Sequence, residues 1–326
     1  MKKNVNTTLE MLAEKLGLSK GTVSLALNGK PGVSSQTRDL VLKCAAEMNY
    51  KGYAVRQSTR QVAVLLPRLT SSFNSEILAG IERAAGELDY DLIVHTIEGK
   101  SFKYEPFIQR IKDRVDGLIT STGLLTEKTR ELLGEVGAPI VCLAPEKRGD
   151  ASVSVNHRKS CEQVIHHLFE LGHREIAYCH GISRYSELRL GYSRDAAAEL
   201  GMKLLTCSTE SELEPEIAYY NFSKFMAEGH KFTAVVCASD FIAGGVLQLL
   251  NDSGLRVPHD VSLVGFDGLS WTKLLTPPLT TVQQPLSEQG EAAMHLLVDL
   301  IKGRGADHYI LDSTLIIRNS TAKVKS

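Results

Sequence analysis

The sequence predicts a small all-α helix-turn-helix domain followed by an α/β core of two doubly wound subdomains. Three observations predict it. The first sixty residues contain three short helical patterns separated by Gly and Ser breaks. The same stretch holds ten basic residues against four acidic ones, a net of +6, in a 326-residue chain whose formal charge is −1, so the remainder carries −7. From residue 62 onward, short apolar runs alternate with helical patterns, the arrangement of parallel sheets covered on both faces.

Thr7 followed by Glu10 fits a capping box, and Leu9, Leu12, Ala13 and Leu16 form the i, i+3, i+4, i+7 stripe of an amphipathic helix. Gly17 ends that helix. Ser19 caps a second, with Val23 and Leu27 facing inward, and the run Asn28-Gly29-Lys30-Pro31-Gly32 breaks it. Ser34 or Ser35 caps a third, with Leu40, Val41, Cys44 and Met48 on one side. Three short helices with a Gly-containing turn between the first two make a helix-turn-helix. The outward face of the second helix would then enter the major groove, with Lys20, Gly21, Ser24 and Leu25 toward base edges. A helical cap or oligomerisation domain has the same apolar spacing. The positive charge is what favours a phosphate-bearing partner over those alternatives.

In the remainder, apolar runs at 62–66, 92–95, 115–120, 139–143, 175–180, 233–238 and 261–266 read as strands, with a helix near 75–88 after the first. Ligands in such folds sit outside the carboxyl ends of strands. Asp267 ends the run "VSLVGFD", so its carboxylate is expected at such a cleft, unless it caps the following turn. Phe73 and Asn74, in "TSSFN", follow the first strand. In "CASDFIAGG", Ser239 is placed to contact a ligand and Asp240 to cap a helix beginning near Phe241.

Composition excludes several classes. No run approaches the roughly 20 apolar residues of a spanning helix. The N-terminus continues from Lys2 and Lys3 into polar residues rather than an apolar signal core, so a cytoplasmic protein is expected. Six cysteines, at 44, 142, 161, 179, 207 and 237, have no metal-binding spacing and read as reduced core residues. Neither a metal nor a cofactor is expected. No G-x-G-x-x-G follows a strand, and neither a phosphate-binding G-x-x-x-x-G-K-[ST] nor a G-x-S-x-G elbow occurs. His173 precedes a strand far from any nucleophile, and the adjacent His166 and His167 cannot share a helix face. No catalytic residue is therefore assigned and no enzyme is expected. The competing reading is a small-molecule binding protein without a regulatory role, which leaves the basic module unexplained.

The stretch "TLEMLAEKLGLSKGTVSLALNGKPGVSSQTRDLVLKCAAEMNY" resembles the DNA-binding domain of the lactose repressor and purine repressor (LacI/GalR) family, above all in "TVS", "LNG", the spacing "VS..TR..V" and the closing Asn-Tyr. The resemblance implies a DNA-binding domain over 1–50, a hinge over 51–61, and an effector-binding and dimerisation core over 62–326. It places Thr8, Ser19, Thr22, Ser24, Asn28 and Ser34 against phosphates, Lys20, Gly21 and Leu25 at base-reading positions, and Tyr50 at the DNA-facing end of the domain. Leu25 stands where most members have Arg, and Gly21 has no side chain to read with. Losing that Arg removes a guanine contact worth about 1–3 kcal/mol of discrimination, while Leu suits a thymine methyl. The operator is expected to differ at that step. In the hinge "KGYAVRQSTRQVAVLLP", Ala54, Val55 and Ser58 match the family. Gly52 replaces the usual Pro, Arg56 the usual Ala, and Thr59 the Leu that wedges into the minor groove. With Arg56 and Thr59 at the DNA, a weaker kink is expected; a plain linker is the alternative.

"RVDGLIT", "LFELGHREIAY", "CASDFIAGG", "GLRVPHDVSLVGFD", "PPLTTVQQP" and "LIIRNST" resemble the family's effector-binding core, which is periplasmic-binding-protein-like, so the resemblance covers nearly the whole chain. It implies crossings between subdomains near 155–157, 282–285 and 309–312. It also implies that a small-molecule effector, a sugar or related metabolite, changes the closure of the cleft and thereby the spacing of two DNA-binding domains in a homodimer. Effector contacts are expected from Phe73, Asn74, Asn156, Arg189, Ser239 and Asp267. Three departures make the pocket less polar than usual. Val155 stands where Asp is common, and Leu213 where an aromatic often stacks. Leu188 takes the place of the Arg of an Arg-x-x-Gly-aromatic motif, with Arg189 one step later and so turned by about 100° on a helix. The function implied is a transcriptional repressor binding a pseudo-palindromic double-stranded DNA operator.

Overall fold

The computed structural model describes residues 8–27, 32–48, 50, 58–97, 104–121, 127–143, 151–305 and 308–325. Helices α1 (Leu9–Leu16), α2 (Lys20–Leu27) and α3 (Ser35–Glu47) form the N-terminal domain. Each begins on a hydroxyl. Thr8, not Thr7, caps α1, its Oγ1 accepting from Met11 N at 3.4 Å. Ser19 Oγ accepts from Thr22 N at 3.0 Å and Ser34 Oγ from Thr37 N at 3.1 Å. Gly17 turns the chain out of α1 at φ +65°, a conformation in which a β-carbon would be strained. Leu12, Val23 and Val41 are wholly buried at the centre, with Ala26, Leu27, Cys44 and Ala45 around them. Leu40 is corrected: it is 54% exposed, and Ala45 takes the inward place assigned to it.

The core contains two six-stranded sheets. The first holds β1 (Gln61–Pro67), β2 (Asp91–Ile97), β3 (Gly117–Ser121), β4 (Ile140–Leu143), β5 (Ser152–Val155) and β11 (His308–Leu311), in the order β11-β5-β4-β3-β1-β2, all parallel. The second holds β6 (Glu175–His180), β7 (Lys203–Ser208), β8 (Ala234–Cys237), β9 (Ser262–Asp267), β10 (Thr280–Gln283) and β12 (Thr314–Ile316), in the order β12-β10-β9-β8-β6-β7. Only β12 runs antiparallel among the described pairings. Helices α4 (Ser72–Glu87), α5 (Tyr104–Ile111), α6 (Glu127–Gly134) and α11 (Leu286–Ile301) cover the first sheet, while α7 (His157–Glu170), α8 (Arg184–Glu199), α9 (Pro215–Ala227) and α10 (Asp240–Asp252) cover the second.

The chain passes between the sheets three times: at Asn156 between β5 and α7, at Gln284 and Pro285 between β10 and α11, and at Asp312 and Ser313 between β11 and β12. The first and third passages are tied together. Asn156 Nδ2 donates to Asp312 Oδ1 at 3.3 Å, Lys159 Nζ donates to Asp312 Oδ2 at 2.6 Å, and Ser160 bonds Ser313. Helix α11 lies along α4 at glycine-permitted distance: a β-carbon on Gly80 would run into the carbonyl of Ser287, and one on Gly290 into that of Ile77.

The chain reaches the core through a carboxylate clasp. Asp116, beside the first residue of β3, accepts from Ser58 Oγ at 2.5 Å, Thr59 N at 2.9 Å, Thr59 Oγ1 at 3.0 Å and Arg60 N at 3.1 Å. Burial pushes the Asp116 carboxyl up, but the hydrogen bonds outweigh it and hold the group below the usual aspartate range.

Candidate nucleic-acid interface and ligand cleft

Helix α2 buries Val23, Ala26 and Leu27 and turns Lys20 and Gly21 to solvent, with Thr22, Ser24 and Leu25 half-buried beside them. Three residues assigned to phosphate contact, Thr8, Ser19 and Ser34, are the helix caps. A capping hydroxyl spends a lone pair on a backbone N–H and keeps its own proton to donate. The Ser19 and Thr22 hydroxyls lie 2.8 Å apart. Lys20 Nζ sits 2.6 Å from Glu10 Oε1, and its hydrogen bond is the main cause that lowers the Glu10 carboxyl below its ordinary range. Both partners are exposed, so water competes for this pair. Tyr50 packs against the helical domain and its N–H closes on Ala45 O at 3.1 Å. Thr59 is held in the Asp116 clasp. Asn28 and Arg56 lie outside the described residues, as does most of the hinge.

Between the two sheets lies a cavity of about 280 Å³. Five of the six residues assigned to an effector line it: Phe73, Asn74, Arg189, Ser239 and Asp267. Asn156 does not. Its Oδ1 accepts from Lys159 N at 3.2 Å as the cap of α7, and its amide binds Asp312, so the residue fastens two crossings. The neighbouring His157 lines the cavity instead.

Arg189 resolves the displaced motif. Its Nη1 donates to Ala238 O at 2.6 Å and to Asp267 Oδ1 at 3.2 Å, and its guanidinium lies 4.0 Å from the ring centre of Phe266. Gln284, in the second crossing, donates from Nε2 to the same Asp267 oxygen at 2.6 Å. Asp267 has φ +118°. That left-handed region is strained for a residue with a β-carbon, and here it turns the carboxylate into the cleft.

Ser239, not Asp240, caps α10. Its Oγ accepts from Ile242 N at 3.2 Å and donates to Glu212 O at 2.8 Å. Asp240 is wholly buried and accepts from Leu269 N at 2.8 Å and Thr281 Oγ1 at 2.6 Å. Burial, and then the charge of Asp267, push its carboxyl up; burial also raises Asp267 against the pull of Arg189. Burial and the Arg189 charge push His157 well below the usual imidazole range, leaving the ring neutral.

Sequence reasoning missed His157, Tyr185, Glu212, Gln284 and Gln289, all of which line the cavity. Tyr185 spans it, its hydroxyl donating to Leu143 O at 3.0 Å, and Arg68, next to the lining residue Pro67, pairs with Glu214, next to the lining residue Leu213, at 3.5 Å. His173, by contrast, is a packed residue: its ring is buried between Thr233 (2.8 Å) and Ser262 (3.1 Å). All six cysteines are free and buried, and no group of three or more potential metal ligands occurs among the described residues.

Residues 8–52 match the family model described as bacterial regulatory proteins, lacI family, and residues 165–321 match the periplasmic binding protein-like domain. The chain is 29% identical to the HTH-type transcriptional regulator RegA of Clostridium saccharobutylicum, over 97% of its own length and 99% of that protein. It is 28% identical to the HTH-type transcriptional repressor PurR of Vibrio parahaemolyticus, with the same coverage. Among solved structures, the lac repressor dimer bound to operator and the anti-inducer ONPF superposes with a TM-score of 0.74 at 26% identity, covering 98% of this chain and 100% of that one.

Proposed function

The chain belongs to the LacI family of bacterial regulatory proteins, and from that premise we propose how its parts divide the work. It is a DNA-binding transcriptional repressor that binds a pseudo-palindromic operator as a homodimer and answers to a small molecule in its cleft. Residues 1–50 read the DNA, 51–61 form the hinge, and 62–326 bind effector and dimerise. Helix α2 lies in the major groove, with Lys20 and Leu25 toward base edges and Gly21 allowing close approach. Thr8, Ser19, Thr22, Ser24, Asn28 and Ser34 meet phosphates, with Tyr50 and Arg56 at the edge of the same surface. Thr59, drawn into the clasp, ends the hinge on the core side.

In the cleft, Arg189, Asp267, Phe73, Asn74 and Ser239 surround the effector, a sugar or related metabolite. A change in closure moves the two subdomains about the three crossings and alters the spacing of the two reading helices. By linkage, an effector that weakens operator binding by some factor is itself bound more weakly to the operator complex by that factor. The protein works in the cytoplasm and catalyses no reaction.

The observation that carries this reading is the presence, on one chain, of a three-helix domain whose helix α2 turns Lys20 and Gly21 to solvent and of a cleft between two lobes lined by a buried Arg–Asp pair. Selection from a random duplex pool by the full chain, at near-physiological salt so that nonspecific phosphate binding does not mask sequence preference, tests it. Enrichment of one palindrome is expected, and a Lys20→Ala, Ser24→Ala double variant should lose it. Undiminished enrichment by that variant would refute the placement of α2.

A further inference from the structure

Helix α11 begins at the cleft and ends at the DNA-binding domain. Its first residue, Leu286, follows the second crossing, and that crossing is fixed to the opposite lobe: Gln284 N donates to Asp267 O at 3.1 Å and Gln284 Nε2 to Asp267 Oδ1 at 2.6 Å. Gln289, about one turn further on, lines the cavity. At 1.5 Å per residue the 16 residues of α11 span about 24 Å. At the far end the N–H groups of Lys302, Gly303 and Arg304 close on the carbonyls of Val298, Leu300 and Asp299 at 3.0, 3.0 and 2.8 Å, and Gly303 turns the chain at φ +71°.

Two contacts near this far end reach the DNA-binding side of the chain. Leu297 is wholly buried against Gly117, where a β-carbon would meet its side chain at 2.7–2.9 Å. Gly117 follows Asp116, whose carboxylate clasps Ser58, Thr59 and Arg60. Arg38, on α3, is half-buried, and its Nη1 would stand 3.6 Å from a β-carbon on Gly303. A guanidinium there meets the partial negative charge of the last carbonyls of α11. Between its ends α11 is interlocked with α4 at Gly80 and Gly290, and Ala293, Met294 and Leu296 are buried in the first core. Interiors packed this closely transmit a displacement rather than absorb it.

We propose that α11 is the rod that couples the cleft to the reading head. The crossing at Gln284 sets its position from the second lobe, Leu297 keeps it in register with the Asp116 clasp, and Arg38 seats the head against its C-terminal end. A displacement of the second lobe pulls on Gln284 and moves the seat of the head. The effect on operator affinity rests on the reading of the cleft and the head given above; the seating of the head on α11 does not.

Because all six native cysteines are buried, spin labels attach selectively to cysteines introduced by Asp39→Cys and Lys302→Cys, exposed positions beside the two contact residues. In the full chain, diluted into excess unlabelled chain, double electron–electron resonance should give one narrow distance. Arg38→Ala should broaden it. Gln284→Met, which frees the crossing from Asp267, should shift or broaden it while Arg38 is present and add nothing in the Arg38→Ala chain. If Gln284→Met does not fold, as judged by near-ultraviolet circular dichroism, Gln284→Asn withdraws the amide from Asp267 and should act in the same way. On the selected duplex, fluorescence anisotropy should show the effect of Gln284→Met on affinity reduced at least about threefold by Arg38→Ala, whereas uncoupled sites add to within about twofold. A broad distribution in the parent chain, a distribution that Arg38→Ala or the Gln284 variant leaves unchanged, or a smaller reduction on the duplex overturns the proposal. Failure to enrich any palindrome strikes the regulator reading instead, and the distance measurement, which needs no DNA, then decides the proposal alone.

Discussion

At the residue scale, the electrostatic state of single side chains makes three predictions. On the proposed placement of α2, Lys20 leaves Glu10 to reach a base edge, so Glu10→Gln should tighten operator binding without changing base preference; fluorescence anisotropy against the selected operator and a scrambled duplex checks this, and equal tightening on both would locate the effect in general charge. Leu25→Arg should shift preference at its base step to guanine by about 1–3 kcal/mol, read by repeating the selection. Asp116 and Asp240 should act oppositely with pH. The folded Asp116 carboxyl is lowered, so its contribution is present above the unfolded value of about 4 and lost as pH falls through the folded one. The folded Asp240 carboxyl is raised, so the native state holds a proton that the unfolded chain has released, and stability declines as pH rises from about 4 toward neutral. Asp116→Asn should therefore flatten the acid limb of a stability–pH curve and Asp240→Asn the neutral limb; the reverse pattern would contradict both assignments. Asp267 was legible because a carboxylate at the end of an apolar run has few other uses. Arg189 was legible only as an anomaly, since the inward stripe of α8 is Ser186, Arg189, Ser193, Ala196 and Ala197, and its first three positions are polar ones that hydrophobic periodicity does not register.

At the scale of elements, long apolar runs announced themselves and short or polar ones did not. The strand at 62–66 lies inside β1, that at 175–180 coincides with β6, and that at 261–266 is displaced by one residue from β9; the central residues of all three are buried. Strand β5, "SVSV", is short and half polar, and β7, at a sheet edge, keeps five of its six residues half-exposed or more open. Neither carries the continuous apolar signal used to find the others. The phase of α3 was misjudged at one position: Val41, Cys44 and Ala45 point inward, and Leu40, one residue and so about 100° before Val41 on the helix, is turned toward solvent. Close approach sets α4 and α11 as well. Gly290→Ala should push a methyl group into the backbone of α4 and destabilise the first subdomain by about 1–3 kcal/mol, measured by urea unfolding; an unchanged midpoint would mean that the two helices slide apart freely.

At the scale of the molecule, the division of charge was readable from the first sixty residues, while the contents of the cleft were not. His157, Glu212, Gln284 and Gln289 are separated by up to 132 positions, from 157 to 289, and meet only because the chain crosses three times between its sheets. No linear spacing encodes that meeting. No helix among the described residues is long and apolar enough to cross a membrane. The Asp116 clasp has a geometric consequence for the paired protein. It anchors the chain at Ser58, so the seven residues 51–57 are the whole tether between the anchor and the end of the reading head at Tyr50. Seven residues reach at most about 25 Å in any conformation. Two heads on such short leashes act as a ruler: inserting five base pairs between the half-sites, about half a helical turn, should turn one half-site out of reach and leave only the affinity of a single head.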